Sequence, residues 1–297
     1  MKRTKLVAIN GEIFKPEEAK ISVFDRGFLY GDAVYEVARS YGRVFFELEA
    51  HINRMFNSAS LIQMDLRNTP EQYIRDIYKV YAHVPEDNIY MRIQITRGTG
   101  TIGLGLKNAI EPNVIVYLRE LDLTPQEYYD KGVKVVTTQR LRNSKKALDP
   151  NIKSGNYLNN VLAYIDATRA EAIESVMVNS QGFVTEGTTS NIFFVRGGAV
   201  MGPPDEFDLL KGITRRIVIG LCKNLGIPYK PGSFTPADFE NADEVFLTSS
   251  TREVLPVRLV NHSNIKSTPG AITRSLALAY KKYVSDYCAE RVHLGKI

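Results

Sequence analysis

In the segment Ala147-Leu-Asp-Pro-Asn-Ile-Lys153-Ser-Gly-Asn-Tyr157-Leu-Asn-Asn160, one lysine precedes the start of a helical pattern. The segment follows a β-prone run over 133–138, and helical spacing begins at Leu158. The N-terminus of a helix is positively polarised and disfavours an ammonium group, so a lysine at this place is a candidate nucleophile. A lone lysine is more often a solvated surface residue, and for Lys153 taken alone that interpretation stays open.

Strand and helix patterns alternate on the C-terminal side of this segment. The predicted strands are 133–138, 175–179, 192–195 and 243–247, and the predicted helices are 158–170, 213–225 and 272–287. We expect the first of these helices to bury an apolar stripe formed by Leu158, Val161, Leu162 and Ile165. The second should end at Gly226, because glycine is the usual residue after a helix C-terminus.

The N-terminal part shows the same mixture of elements. Asn10-Gly11 stands between two short apolar runs and predicts a β-hairpin. The predicted strands are 6–9, 12–14, 32–41, 44–46, 90–97 and 113–118, and the predicted helices are 48–61 and 70–82. A polar crossover at 121–132 marks a domain boundary. The chain should therefore be an α/β protein, with a small N-terminal α+β domain (1–120), an interdomain loop (121–132) and a larger α/β domain (133–297) that carries Lys153.

Composition excludes several classes of protein. The chain has 297 residues, 44% hydrophobic and 24% charged, which is ordinary for a globular protein. Its net charge of +5 is spread in short stretches, so we expect no nucleic-acid partner. Two cysteines and four histidines argue against a disulfide framework and against a metal site, and the cysteines should be buried thiols. No apolar stretch approaches the length of a membrane span, so a cytoplasmic protein is expected.

A nucleotide-binding motif is present only superficially. Gly98-Thr-Gly100-Thr-Ile-Gly103 matches the dinucleotide fingerprint and follows a predicted strand. The fingerprint requires a helix whose N-terminus holds the pyrophosphate, whereas another strand follows here. The glycines are better interpreted as a turn between strands.

Glu186 is the candidate acid. It lies in Gly182-Phe-Val-Thr-Glu186-Gly-Thr-Thr-Ser-Asn191, between two predicted strands. A carboxylate among β-strands is costly unless it is paired or hydrogen-bonded. It is either an acid at the edge of a hairpin or the counter-charge of a buried cationic ring nitrogen.

Two segments are candidate anion-binding sites. Lys211-Gly-Ile213-Thr214 opens the predicted helix 213–225, where backbone N–H groups lack helical partners. In Thr248-Ser-Ser250-Thr251-Arg252-Glu253, the pattern Ser250-x-x-Glu253 fits a helix capping box. Arg54 could add a two-point contact to a phosphate. Simple helix capping explains each segment singly, but a lysine, an acid, two anion sites and an arginine together meet the requirements of pyridoxal phosphate.

With these blocks in order, the chain resembles the class IV, fold-type IV pyridoxal-phosphate aminotransferases over essentially its whole length, and is most similar to branched-chain amino acid aminotransferases. The blocks that carry the resemblance are Phe24-Asp-Arg-Gly-Phe-Leu-Tyr30-Gly-Asp32, His51-Ile-Asn-Arg54, Ala147–Asn160, Thr185–Asn191, Gly212-Ile-Thr214-Arg and Glu244–Glu253. The resemblance implies a fold like that of D-amino acid aminotransferases, a cofactor site between two domains, and a homodimer or higher homo-oligomer.

The resemblance also implies roles for single residues. Lys153 would be the Schiff-base lysine and the acid/base of the reaction, Glu186 would pair with the pyridinium, and Tyr157 would bond the ring hydroxyl. The phosphate would be bound by Arg54, Ile213, Thr214 and Ser250. The amino acid and 2-oxo acid substrates would be bound by Tyr30, Arg39, Tyr90, Arg92, Thr251 and Arg252.

The substrate class is less sharply indicated. Tyr90-Met-Arg92 resembles the Tyr-x-Arg pattern of branched-chain enzymes, and residues 98–106 lack the Arg-x-His pattern of D-amino acid enzymes. We therefore expect transfer from leucine, isoleucine or valine to 2-oxoglutarate. Tyr35-Glu36-Val37 looks more like the D-type, which keeps a D-amino acid aminotransferase open as an alternative. An aminodeoxychorismate lyase and a regulatory protein that has lost turnover also stay open.

Overall fold

The computed structural model describes residues 4–109 and 111–296, which divide into two compact units. The first contains the described residues of Met1–Asp122, Ile152–Tyr157 and Ser285–Ile297, and the second contains Leu123–Asn151 and Leu158–Val284. The contiguous division predicted from the sequence therefore needs correction for two segments. Ile152–Tyr157, which carries Lys153, belongs with the first unit because its backbone bonds to a strand there, and the C-terminal segment belongs there too.

Six strands and three helices form most of the first unit. They are β1 (Thr4–Ile9), β2 (Glu12–Phe14), β3 (Ala33–Tyr41), β4 (Val44–Phe45), β5 (Ile89–Thr96) and β6 (Asn113–Glu120), with α1 (Arg26–Tyr30), α2 (Leu48–Leu61) and α3 (Pro70–Tyr81). The strands form one antiparallel sheet in the order β2-β1-β6-β5-β3-β4. The predicted hairpin is confirmed: Asn10 and Gly11 have φ of 54° and 89°, as a tight turn with two left-handed residues requires.

The core of this unit lies between the sheet and helices α2 and α3. Ile52 and Met55 of α2 pack there with Ile77 of α3 and with Ile93 of β5, and all four are fully buried. Helix α3 begins in the way its sequence predicts, because Thr69 caps the N–H of Gln72 and a proline follows the cap.

Strand β3 presents different chemistry on its two faces. Val34 and Ala38 belong to the core cluster on the helix side, and Glu36 points to the same side, where its carboxylate meets α2. Because successive side chains alternate across a strand, Tyr35 and Arg39 lie on the opposite face. The sheet thus separates an acid inside the unit from a row of aromatic and basic side chains.

The second unit contains nine strands and most of the remaining helices. The strands are β7 (Val133–Leu141), β8 (Glu174–Val178), β9 (Val184–Gly187), β10 (Asn191–Arg196), β11 (Ala199–Gly202), β12 (Tyr229–Pro231), β13 (Glu244–Ser249), β14 (Glu253–Val260) and β15 (Ser263–Asn264). The helices are α4 (Gln126–Lys131), α5 (Lys145–Leu148), α6 (Leu158–Arg169), α7 (Ile213–Asn224), α8 (Pro236–Glu240) and α9 (Ala271–Glu290), whose last turns lie in the segment assigned to the first unit. Short 3₁₀ helices cover Leu106–Asn108 and Val292–Lys296.

The nine strands form one mixed sheet in the order β12-β11-β10-β13-β14-β7-β8-β9, with β15 paired to β14. The pairs β11–β12, β14–β7 and β7–β8 are parallel, and the others are antiparallel. Its core contains Phe194, Leu247 and Val257. Mixed strands and helices in both units confirm the predicted α/β class.

Three further predictions are corrected. Helix α6 buries the face that carries Asn160, Ala163 and Ala167. The predicted buried face was therefore wrong, and its first residue, Leu158, is 63% exposed. Small alanines allow the helix to approach the sheet closely, which periodicity of large apolar residues does not reveal. No helix begins at Ser250: the capping pattern ends at Glu253, the first residue of strand β14, which was not among the predicted strands. Of the two cysteines, Cys222 is buried as predicted, whereas Cys288 is only partly buried.

Two other predictions are confirmed. Residues 98–105 form a loop, and only a three-residue 3₁₀ helix precedes β6, so the glycine-rich segment has no helix to hold a pyrophosphate. Helix α7 ends at Asn224, with Leu225 as its C-cap and Gly226 following at a φ of 68°. Within residues 4–109 and 111–296, no helix is both long and apolar enough to span a membrane.

Candidate active site

The segment with Lys153 is held against the edge of β3 in the first unit. Tyr35 N donates to Lys153 O at 2.9 Å, and Gly155 N donates to Ala33 O at 2.7 Å. On the other side, Lys153 N donates to Ser58 Oγ of α2 at 3.1 Å. Three hydrogen bonds therefore fix the backbone from which the lysine side chain extends.

The ring of Tyr35 is the contact surface for this lysine. Lys153 Nζ lies 4.6 Å from the ring centroid, and the Arg92 guanidinium carbon lies 3.8 Å from it. The ring of Tyr157 meets the ring of Tyr35 edge-on, with the centroids 6.0 Å apart. A tyrosine face attracts cations, so this ring orders two positive groups at once.

A buried carboxylate lies on the helix side of the same strand. Glu36 has no exposed surface, and its Oε1 and Oε2 accept from Arg54 Nε at 2.6 Å and Arg54 Nη2 at 2.7 Å. His51 Nδ1 lies 2.8 Å from Oε2. Burial alone would raise the pKa of Glu36, but the charge and hydrogen bonds of Arg54 and the hydrogen bond to His51 outweigh it and lower the pKa to about 2.

Burial also determines the direction in which the pKa of His51 is shifted. The imidazole is almost wholly removed from water, and burial lowers its pKa in spite of the neighbouring Glu36, helped by the charges of Arg54 and Lys153. A neutral ring beside an ionised acceptor carries its proton on Nδ1, so His51 donates to Glu36.

Three of the four predicted substrate residues of the first unit lie on the face of its sheet opposite α2 and α3. Arg39 pairs with Tyr90, and Val37 pairs with Arg92, in the β3–β5 ladder. Directly opposed residues share a face, so these side chains lie beside Tyr35. Tyr30 is elsewhere in the unit: its hydroxyl accepts from Gly103 N at 3.2 Å.

Glu186 anchors a separate cluster in the second unit. Its carboxylate is buried in strand β9, and Oε1 accepts from Arg142 Nε at 2.8 Å. Oε2 accepts from Leu210 N at 3.0 Å and, more weakly, from Asn191 Nδ2 at 3.4 Å. The carboxylate is thus held in place by three protein donors.

The N-terminus of α7 lies against the same asparagine. Gly212 is the N-cap, and no side chain caps the helix. A Cβ on Gly212 would collide with Asn191 Oδ1, so glycine is required for this close approach. Ile213 and Thr214 follow in the first turn, both buried, and no acidic residue is present there. Unsatisfied N–H groups, a hydroxyl and the absence of competing acids are the donor set that fits a phosphate.

The third cluster is built on Glu174. This carboxylate has no exposed surface and accepts from the backbone N and hydroxyl of both Thr188 and Thr189 and from the Ser190 hydroxyl at 3.0 Å. Arg252 Nη1 lies 3.5 Å from it. The turn that joins Glu186 to Asn191 is therefore fixed by an acid beneath it.

Segment 248–252 supplies a second set of polar groups. Among the described residues, Thr248 Oγ1 is one of the buried side-chain atoms without a hydrogen-bond partner. Ser250 and Thr251 lie in the turn after β13, half-buried, and Arg252 N donates to Ser249 Oγ at 3.2 Å. The arrangement fits an anion although no helix begins there.

The predicted site residues fall into two groups, one in each unit. In the first unit are Tyr30, Arg39, Arg54, Tyr90, Arg92, Lys153 and Tyr157, and in the second are Glu186, Ile213, Thr214, Ser250, Thr251 and Arg252. Four residues that the structure places in these clusters are not predicted from the sequence: Glu36, His51, Arg142 and Glu174. An acid inside an apolar run is the one available signal, for Glu36 in Val34–Val37 and for Glu174 at the start of its strand. Within the described residues no cluster of side chains suits a metal ion.

Comparison with known proteins gives a consistent result. A family model described as amino-transferase class IV matches residues 33–260. A putative branched-chain-amino-acid aminotransferase of Methanocaldococcus jannaschii is 35% identical over 280 residues, covering 93% of this chain and 95% of the relative. A D-alanine aminotransferase of Staphylococcus epidermidis is 32% identical over 283 residues, covering 95% and 98%.

Solved structures agree in fold. A branched-chain amino acid aminotransferase of T.th. with pyridoxamine 5'-phosphate matches with a TM-score of 0.90 at 29% identity, covering 96% of this chain and 95% of that one. The branched-chain aminotransferase of Thermoproteus uzoniensis with norvaline has a TM-score of 0.88 at 27% identity, covering 96% and 98%. The predicted fold-type IV architecture is confirmed. Because the family model spans most of the chain, the protein belongs to the class IV aminotransferases.

Proposed function

We propose that the protein transfers the amino group of L-branched-chain amino acids to 2-oxoglutarate with pyridoxal 5'-phosphate as cofactor. The observation that carries the proposal is one face of the first sheet, where Tyr90 and Arg92 of the Tyr-x-Arg pattern lie beside Tyr35 and Arg39. A guanidinium there offers a two-point partner for a carboxylate of either substrate. The match to branched-chain aminotransferase structures supports the same class.

The chain's own groups divide the work. When bound, the cofactor supplies an aldehyde that takes up the amino group and a ring that accepts electrons. Lys153 Nζ holds and moves the proton at the substrate Cα. Glu186, held by its hydrogen bond from Arg142, would hold the proton of the ring nitrogen. Tyr157 would bond the ring hydroxyl.

We assign phosphate binding to donors on three segments of the chain. The first turn of α7, with Ile213 and Thr214, presents backbone N–H groups and a hydroxyl. Ser250 would add a hydroxyl, and Arg54 a guanidinium. Thr251 and Arg252 are proposed for the substrate because they continue the turn that carries Ser250.

A homodimer is part of the proposal, supported by exposed apolar surface. Ile102 and Leu104 are 70% and 80% exposed, and their loop lies against α1, where Arg26 donates to Gly103 O at 2.7 Å and Phe28 is 66% exposed. Apolar side chains grouped in this way mark protein interaction surfaces. If a second copy covers this patch, Phe28→Glu will shift the protein toward monomer in light scattering, whereas an unchanged mass would contradict it.

A D-amino acid aminotransferase is the second candidate. Tyr35-Glu36-Val37 and the D-alanine aminotransferase relative favour it. One hydroxyl or methylene in a pocket changes discrimination by only about 1–3 kcal/mol, so the two activities can be close in sequence.

A half-reaction separates the two. The cofactor-loaded protein is mixed with L-leucine or D-alanine without an acceptor, and conversion of the aldehyde to the amine form is followed by absorption. We expect fast conversion with L-leucine and little with D-alanine. The reverse order would replace the first proposal by the second, and no conversion with any amino acid would contradict both.

A further inference from the structure

We propose that Glu36 is a positioning residue that fixes the guanidinium of Arg54 in the orientation in which it receives the cofactor phosphate. The inference rests on the proposed function, since that assigns the phosphate to Arg54. Neither the resemblance nor the substrate pattern gives Glu36 a role of its own.

The geometry of the pair is specific. Glu36 Oε1 and Oε2 face Arg54 Nε and Nη2 at 2.6 Å and 2.7 Å, which is the two-point geometry that a planar guanidinium prefers. Both ends are anchored on rigid elements, β3 and α2. The contact uses Nε and Nη2 of the guanidinium, and a guanidinium has five N–H donors, so the same group can bind Glu36 and contribute to a phosphate site.

Burial argues that the pair serves more than stability. The Glu36 side chain is fully buried and that of Arg54 is 14% exposed. Burying a carboxylate and a guanidinium costs about as much as their attraction returns, so an apolar pair of the same volume would stabilise the core as well or better. Orientation of a charged group toward a ligand is what an apolar pair cannot provide.

His51 completes the arrangement. Its Nδ1 donates to Glu36 Oε2 at 2.8 Å, so the oxygen that faces Arg54 Nη2 is held from a second side. Both partners lie on α2, three residues apart in sequence, on neighbouring positions of one helix face. Because two side chains hold its oxygens, the Glu36 carboxylate cannot rotate without breaking a buried hydrogen bond. The fixed carboxylate in turn restricts the orientation of the Arg54 guanidinium.

The test compares two ligands that differ only in the phosphate. Full-length protein stripped of cofactor is titrated with pyridoxal phosphate and with pyridoxal, and the ratio of the two dissociation constants measures the preference for phosphate. The ratio is taken on folded protein and is insensitive to a loss of stability. The variants are Glu36→Gln, Glu36→Asp, Arg54→Gln and Glu36→Gln with Arg54→Gln.

We expect Arg54→Gln to reduce the phosphate preference by roughly tenfold or more, as for the loss of a charge-assisted hydrogen bond. Glu36→Gln should give most of that loss, and the double variant should add little to Arg54→Gln. Glu36→Asp, which keeps the charge but shortens the reach, should lose part of the preference. Glu244→Gln is the matched control: Glu244 is buried and caps the start of α9, so its loss should lower stability and leave the preference unchanged.

The outcomes separate the role of Arg54 from that of Glu36. If Arg54→Gln keeps the preference, the phosphate role in the proposed function is wrong. If Arg54→Gln loses the preference while both Glu36 variants keep it, or if the two losses simply add in the double variant, the positioning role of Glu36 is wrong.

Discussion

Arg142 Nε lies 2.8 Å from Glu186 Oε1, and both side chains are less than a tenth exposed. The two residues come from different segments of the second unit, so the acid assigned to the cofactor ring is held by a partner that is remote in sequence. The Arg142 guanidinium compensates the buried carboxylate of Glu186, the acid proposed as counter-charge of a ring cation. Replacing Arg142 would leave the buried Glu186 carboxylate without the cation that compensates it.

This pair predicts a non-additive effect on stability. Arg142→Gln should lower the free energy of unfolding by about 3–5 kcal/mol, because breaking a buried ion pair strands the other charge. Adding Glu186→Gln should restore part of the loss, since the stranded charge is then gone. Guanidinium unfolding of the single and double variants measures both. If the double variant loses as much stability as Arg142→Gln, or loses more because the effects of the two substitutions add, Arg142 and Glu186 do not stabilise the fold as a coupled pair.

Two glycines of one helix predict opposite effects. Gly212→Ala places a methyl group against Asn191 Oδ1, where a buried side chain must move, and should reduce both stability and cofactor affinity. Gly220→Ala in the same α7 meets nothing within 4 Å and should stabilise by about 0.5–1 kcal/mol. Thermal unfolding and a cofactor titration are the measurements. If the two variants behave alike, the close packing at the helix start is not required.

His51 predicts a pH dependence of stability on the acid side. Burial holds the pKa of His51 below its ordinary 6.5. Just below pH 6.5, the imidazole is therefore protonated more in the unfolded chain than in the folded one. The contribution is fully present above pH 6.5 and is lost as the pH falls below it, at up to about 1.4 kcal/mol per pH unit. Glu36 affects stability at lower pH. Its pKa is about 2 in the folded chain instead of the ordinary 4.5, so its contribution is lost as the pH falls from about 4.5 toward 2.

Unfolding of His51→Asn between pH 5 and 7.5 isolates the histidine, because asparagine keeps a donor at the Nδ1 position and does not titrate. Its stability should fall less on acidification than that of the wild type. The exposed His83→Asn is the control and should follow the wild type. If the free energy of unfolding of His51→Asn falls with pH as steeply as that of the wild type, another titrating group is responsible.

Much of the fold follows from local sequence pattern. Helix α2 is predicted with its observed bounds because its buried residues recur at helical spacing, and the Asn10-Gly11 turn fixes its hairpin. The face of α6 is not predictable in this way, since Ala163 and Ala167 pack while the larger Leu158 is exposed. Side-chain size gives the direction of burial only when the neighbour leaves room for large residues.

The candidate site is predictable only through its motifs. Lys153 and Glu186 stand in recognisable motifs, and in the structure Lys153 Nζ lies over the Tyr35 ring while Glu186 bonds to Arg142. Arg142 could not be paired with Glu186 from the sequence because 44 residues separate them and the contact depends on strand order. The Ser250-x-x-Glu253 pattern misleads because a turn before a strand satisfies the same four positions.

The decisive measurement identifies the lysine that binds the cofactor aldehyde. The cofactor-loaded protein is reduced with borohydride, digested, and mapped by mass spectrometry, with Lys153→Ala as the matched variant. We expect a single pyridoxyl adduct on the peptide that contains Lys153, and no adduct and no turnover in Lys153→Ala. An adduct on another lysine, or turnover in the variant, would contradict the role proposed for Lys153.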